Sequence, residues 1–361
     1  MPAPRLVLAA LILATLACTF GVAPASEFAA VPLRVGVAPA GALTPATSTP
    51  AAAPSRAATP APSATTGATA ASTITLSPAP PLPSATAQVT PSPAVTPLGG
   101  ARGLAFHSGP VTGEKFIQVL EGAEVISLTA GLSPAWSPDG ARLAYVVPVN
   151  GLLDIFVMNA DGSGQINLTQ SNRSDDAPAW TPDGAHLIFA SDRDGNFELY
   201  EMRPDGSEVR RLTNTPLAQE GQPAVAPDGE RIAFASLTEG VTRLFVMNRD
   251  GSNPQPVADG ASQDKFPAWS PDGARLVFAS NRSGNFELYE LTLATQEVKR
   301  LTESRAQNGS PQYSPDGQYL LFDSNRDGNY DLYRLNLNTG GLTQLTRGER
   351  PAFNGDPSWR P

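Results

Sequence analysis

A Pro-Asp-Gly turn set behind a Pro-x-aromatic segment recurs at Pro138-Asp139-Gly140, Pro182-Asp183-Gly184, Pro227-Asp228-Gly229, Pro271-Asp272-Gly273 and Pro315-Asp316-Gly317. The intervals are 44, 45, 44 and 44 residues. A period of this length marks the blades of a propeller, in which each unit buries its faces only against its neighbours.

The copies stack strand by strand. Pro178-Ala179-Trp180 and Pro267-Ala268-Trp269 precede the turn. There Pro suits the second corner of a type I turn, and Gly accepts the left-handed position of a bulged hairpin. Leu187-Ile188-Phe189-Ala190 and Leu276-Val277-Phe278-Ala279 follow as continuous apolar runs, which suit strands buried on both faces. Polar loops, Ser191-Asp192-Arg193-Asp194-Gly195-Asn196 in one copy and Ser324-Asn325-Arg326-Asp327-Gly328-Asn329 in another, lead to a third strand at Glu198-Leu199-Tyr200 or Asp331-Leu332-Tyr333. A second turn, at Asp161-Gly162, Asp205-Gly206 and Asp250-Gly251, leads to a more polar fourth strand ending in Leu-Thr, as at Leu212-Thr213 and Leu301-Thr302. A polar outer strand resists edge-to-edge pairing.

The repeats begin near Ala101 in mid-unit, with Leu104-Ala105-Phe106 as a second strand, and Pro357-Ser358-Trp359 supplies the missing first strand. The expected fold is all-β: a six-bladed propeller of four-stranded antiparallel blades over residues 101–361, its first blade closed by the C-terminal strand.

These turns, the Ser-Asn/Asp-Arg-Asp-Gly-Asn loops and the Leu-Thr endings resemble the TolB-like six-bladed propeller family, whose namesake is a periplasmic protein of the Tol-Pal envelope system. The resemblance runs from Ala101 to Pro361 and implies the fold. That family carries an α/β domain ahead of its propeller, and residues 1–100 here show no strand-helix alternation to match it.

The first hundred residues read differently. Arg5 and an apolar stretch from Leu6 to Ala17 suit a signal peptide over residues 1–25, being too short to span a bilayer. Thr15-Leu16-Ala17-Cys18 resembles a lipoprotein processing site, with Cys18 lipidated, and Thr15 stands where Leu is usual. The competing reading is ordinary cleavage after Ala25, leaving a secreted protein. Cys18 is the sole cysteine, so no internal disulfide can form. Residues 26–100 are rich in Ala, Pro, Thr and Ser, with no aromatic between Phe28 and Phe106. Such a segment cannot bury a core and is expected to be a disordered, semi-stiff tether.

Charge narrows the partners. Arg5, Arg34 and Arg56 against Glu27 give the first hundred residues +2, so the propeller carries −11 of a chain total of −9. An acidic surface argues against nucleic acid. No Gly-x-Ser-x-Gly, His-Glu-x-x-His or Gly-Lys-Ser/Thr sequence is present, and His107 and His186 are the only histidines. No catalytic residue, cofactor or metal site is therefore expected. His186 takes the slot of Arg142, Arg231, Arg275 and Tyr319 and reads as an exposed strand residue, whereas Trp136, Trp180, Trp269 and Trp359, replaced by Val225 and Tyr313 elsewhere, read as core.

The loops before strand one and between strands two and three open on one face and are polar in nearly every unit. The candidate partner-binding channel face is Asp175, Asp176, Glu220, Gln222, Asp264, Asn308 and Asp356, interleaved with Arg193, Arg282 and Arg326. The expected function is an exported, lipid-anchored, non-enzymatic propeller that binds a protein or peptide of the cell envelope there. The alternatives are a carbohydrate-active lyase or hydrolase using paired channel carboxylates, and a small-molecule sensor or adhesive domain.

Overall fold

The computed structural model describes residues 96–97, 101–110, 113–122, 124–257, 262–348 and 352–361. The leader, Cys18 and most of the tether lie outside them. The described chain forms six four-stranded antiparallel sheets and one two-stranded pair, Thr96–Pro97 with Thr346–Arg347.

Blade 1 runs, from inner to outer strand, Ala352–Trp359, Ala101–Pro110, Phe116–Gly122 and Glu124–Ala130. Blades 2 to 6 follow in chain order, and their inner strands are Leu132–Trp136, Asp175–Trp180, Gln219–Val225, Asp264–Trp269 and Asn308–Tyr313. Each inner strand contacts the next, and Asn308–Tyr313 contacts Ala352–Trp359, so the ring is closed. The closing register sets Trp359 opposite Leu104 and Ser358 opposite Ala105, as the sequence pattern predicts.

The repeated turn is held by its own side chains. Gly140 N–H donates to Ser137 O at 2.8 Å, Ser137 Oγ donates to Asp139 Oδ1 at 2.5 Å, and Ala141 N–H donates to the same carboxylate oxygen at 3.0 Å. Gly140 has φ of 64°, a left-handed geometry that glycine adopts without a Cβ clash. Thr181, Ser270 and Ser314 repeat the hydroxyl-to-Asp bond.

The Leu-Thr endings of blades 2, 3, 5 and 6 lie just past the fourth strands, whereas Leu128-Thr129 of blade 1 stays inside its strand. Strand four of blade 3 is only Arg210–Arg211. Leu212 is buried, and Thr213 Oγ1 accepts from Leu199 N at 2.9 Å. Thr169, Thr302 and Thr346 do the same for Ile155, Leu288 and Leu332. A threonine hydroxyl thus takes the place of a main-chain acceptor, and the backbone is free to turn inward toward the next blade.

Core packing sits between blades. Phe189, Phe234, Phe278 and Phe322 are fully buried second-strand residues. Trp136, Trp180, Trp269 and Tyr313, the aromatics before the turn in blades 2, 3, 5 and 6, are each clamped by the preceding blade. Trp180 and Trp269 donate their Nε1 hydrogens to Ala135 O and Ala224 O at 3.1 and 3.0 Å, while Arg142 and Arg231 lie 4.8 and 4.6 Å from the ring centroids. Arg275 sits over Tyr313 and Arg360 over Trp136. Arg360 reaches that position only because Gly103 leaves room: a Cβ there would stand 2.6 Å from the Arg360 Cβ.

Where blade 4 has Val225 there is no ring to stack on, and the clamping arginine is replaced by His186. His186 is half-buried, not exposed as its strand position suggests, and its Nδ1 lies 2.8 Å from Arg249 Nη2. An open groove of about 640 Å³ marks this boundary, lined by Glu201, Arg210, Arg231, Arg249 and Asp250 among others. Replacing Trp269 with alanine removes both a packed ring and a bonded donor across a blade boundary. The expected loss is about 3 kcal/mol or more of unfolding free energy, read as a lower urea midpoint.

Candidate functional site

The predicted channel-face residues separate into two sets. Asp175, Asp264 and Asn308 begin their inner strands and are fully buried. Each meets the arginine of its own blade: Arg193 Nη2 lies 2.8 Å from Asp175 Oδ1, Arg282 Nη2 lies 3.2 Å from Asp264 Oδ2, and Arg326 Nη2 donates to Asn308 Oδ1 at 3.0 Å. The same guanidiniums bond Ser191, Ser280 and Ser324 through Nε. They lie over the ring pairs Phe189 and Tyr200, Phe278 and Tyr289, and Phe322 and Tyr333. A guanidinium stacked between two rings and bonded to a buried acceptor is pre-organised. This set ties strand one to the loop between strands two and three. Glu220 is the blade 4 counterpart, buried without an ion pair among the described residues, and burial raises its pKa.

The second set lies two residues further along. Ser133, Ala177, Gln222, Phe266, Ser310 and Asp356 each precede a proline and have φ between 42° and 55°. In every blade the pairing of inner and second strands slips at this point. Proline offers no N–H to the ladder, so the strand bulges and the residue before it turns out of register. All six are half-buried. They form a ring about the axis, because neighbours touch: Ser310 Oγ donates to Asp356 Oδ1 at 2.8 Å, Ser133 Oγ donates to Asp356 Oδ2 at 3.1 Å, and Phe266 N–H donates to Gln222 Oε1 at 2.9 Å.

Asp356 therefore bridges blades 6, 1 and 2. On its own blade, His107 Nδ1 is 3.4 Å from Asp356 Oδ2, and the imidazole stacks on Phe353 at 5.2 Å between centroids. Behind the ring, in blade 6, stands Asp323, which is fully buried. The same second-strand position holds Val146, Ala190, Ala235 and Ala279 in blades 2 to 5, Asp323 in blade 6 and His107 in blade 1. The polar departures are thus confined to one side of the channel.

With the ring and its bulges described, the sequence can be set beside known proteins. The sequence pattern of the TolB beta propeller domain matches residues 114–265 and 221–361, more than half of the chain. The chain belongs to the TolB beta propeller domain family. Among solved structures, TolB from Acinetobacter baumannii superposes with a TM-score of 0.62 at 23% identity, over 72% of this chain and 66% of that one. A putative TolB from Agrobacterium tumefaciens gives 0.56 at 17% identity, over 73% and 100%. Hydrazine synthase of Kuenenia stuttgartiensis gives 0.60 at 17%, over 72% and 47%. At such identities the likeness concerns the fold alone. The chain spans about two thirds of the Acinetobacter TolB chain, and no curated protein sequence matches it.

Within this TolB-type ring the electrostatics are uneven. Burial pushes Asp323 up to about 8, with the Asp356 charge adding to the effect. Ser310 faces Asp323 and lowers it slightly, but its hydroxyl bonds Asp356, and neither Asp323 oxygen has a partner at hydrogen-bond geometry. Asp176 keeps contact with the lumen, yet the surrounding strands strip enough hydration to raise it to about 6, aided by Asp356 and Asp175. Burial lowers His107 despite Asp356.

Of the predicted residues, then, Gln222 and Asp356 belong to the axial ring, and Asp176 is near enough to Asp356 to feel its charge. The other predicted residues are Glu220 and the buried clamp residues. Ser133, Ser310 and Asp323 were missed. The signal available was the alignment of the residue before each inner-strand proline, and the break in the Ala/Val column at Asp323.

A raised carboxyl pKa favours the neutral folded form, so the Asp323 contribution to stability is present in full below about pH 4 and is lost as pH rises through about 8. Asparagine cannot ionise. The stability of Asp323→Asn relative to the native protein should therefore climb between pH 5 and pH 8, by on the order of 1 kcal/mol per pH unit, and then level off. Urea midpoints at pH 5, 7 and 9 read this directly, and a pH-independent difference would contradict it.

Proposed function

We propose that this propeller is an exported, non-enzymatic binding module that captures a protein or peptide of the cell envelope through the axial face of its channel. The observation that carries the reading is the ring of six half-buried, left-handed residues, whose polar sector holds Asp356, with Asp323 behind it, and no cationic side chain bonded to either among the described residues. Left-handed backbone in residues other than glycine costs energy and persists where the surroundings impose it. Here it holds a set of side chains around one axis, and membership of the TolB beta propeller domain family supports a protein-binding role. Asp176, Gln222 and Asp356 are the contact candidates. Asp175, Glu220, Asp264, Asn308, Arg193, Arg282 and Arg326 support the loops around them.

Cross-linking capture from intact cells tests the site. The double variant Asp176→Asn with Asp356→Asn is expected to lose a discrete envelope protein that the native form captures, with its melting temperature little changed. Equal capture by both forms would remove these acids from the interface.

The route to the envelope rests on sequence: the short apolar leader, Cys18 behind it, and a Pro-rich tether that holds the propeller away from a membrane. Lipidation at Cys18 is the anchor in this reading. Cys18→Ala should shift the protein from the membrane fraction to the soluble exported fraction and abolish fatty-acid labelling. Retention of the label would place the anchor elsewhere.

A further inference from the structure

The charges on the propeller are balanced unevenly. Asp175, Asp264, Glu198 and Glu287 are fully buried, and each has an arginine within 3.3 Å. Asp323 is just as buried, at 0% exposure, and has neither an ion pair among the described residues nor a hydrogen bond. Asp356, with its side chain 33% exposed, accepts hydrogen bonds from the neutral Ser133 and Ser310 hydroxyls, and its one ion-pair partner among the described residues is His107. His107 Nδ1 is itself buried without a hydrogen bond. Lys115, whose charge His107 feels, is engaged elsewhere: its Nζ donates to Pro110 O and lies over the Phe353 ring.

Three elements therefore face one spot between blades 6, 1 and 2 with acceptors and no resident donor cation. We propose that this sector is a subsite for a primary ammonium group, a lysine side chain or N-terminal amine that the partner peptide presents into the channel to Asp356 and, behind it, Asp323. The inference rests on the channel-binding reading above and names the chemistry of what enters.

The donor pattern favours ammonium over other cations. An –NH3+ group is compact and carries three rotatable donors, which suits acceptors arriving from different blades, while a guanidinium fork wants one planar acceptor pair. Among the described residues no three His, Cys, Asp or Glu side chains gather as a metal cage requires. The opposite side of the ring carries the apolar Ala177 and Phe266 on either side of Gln222, surfaces on which the alkyl stem of a lysine can pack. Burial holds Asp323 neutral in the empty channel, and an arriving ammonium lets it ionise, because a buried carboxylate is tolerated when a charge-assisted hydrogen bond meets it.

The test uses the native protein and four C-terminally amidated probes: Ac-Gly-Lys-Gly-NH2, Ac-Gly-Nle-Gly-NH2, Ac-Gly-Arg-Gly-NH2, and H-Gly-Nle-Gly-NH2, which carries a free N-terminal amine. Amide-resolved NMR titration should show the lysine or free-amine probe shifting Ser133, Ser310 and Asp356, and which of the two binds identifies the source of the ammonium. The norleucine probe with a blocked terminus should bind about tenfold more weakly or worse. Asp356→Asn and Asp323→Asn should each weaken the ammonium probe about thirtyfold or more, the scale for removing one partner of a buried, hydrogen-bonded charge pair.

Norleucine binding as tight as lysine, arginine binding tighter, shifts located elsewhere, or no binding by any probe would each overturn the proposal. The native-protein shifts decide the matter even where a variant folds poorly. Failure here with Asp356-dependent capture intact would leave the binding function standing and remove only the ammonium. Ammonium binding without partner capture would do the reverse.

Discussion

The pairing of the C-terminal strand with the first strand of the described propeller holds the rest of the structure in place. Trp359 opposite Leu104 and Ser358 opposite Ala105 turn an open row of sheets into a ring. A closed ring leaves no blade face exposed to solvent, so each second strand can be apolar on both sides. The same strand carries Asp356 to the axis. Closure and the polar sector of the channel are therefore made by one segment, and Arg360 at its end clamps Trp136 of the next blade.

Around the ring, identical backbone positions face different chemical demands. The aromatic before each turn, the arginine stacked on it and the Ser/Thr-Asp pair inside the turn recur because each blade boundary must be packed and its polar groups satisfied. At the boundary of blades 3 and 4 both members change together. Val225 offers no ring, and His186 replaces the stacking arginine. The column of Ala and Val that ends in Asp323 and His107 breaks without such compensation, since neither Asp323 oxygen finds a donor. Packing accounts for the first departure and not for the second, which is the physical ground for assigning the 6–1–2 sector a role outside the fold.

Much of the architecture was legible in advance. The 44-residue period, the turn chemistry and the mid-unit start near Ala101 specify six blades and their closure, because they depend on local geometry and counting. The Leu-Thr endings were read as strand and proved to be anchors beyond it, since a threonine hydroxyl can stand in for a main-chain acceptor, and only the three-dimensional partner shows that it does. The site was half legible. Polar loops do gather on the channel face, but charge and loop position alone cannot separate Asp264, sealed beneath Arg282, from Asp356, which faces the lumen.

The sequence by itself determined the fold class, the number of blades, the closing strand and membership in a recognisable repeat family, all carried by residues whose effect is local: Pro and Gly in turns, β-branched and aromatic residues in strands. Tertiary structure alone decided which acids are neutralised and which stand unpaired. That distinction depends on which blade's arginine, serine or carboxylate arrives at the same point, and residues as far apart in the chain as Ser133 and Asp356 meet there only after the ring has closed.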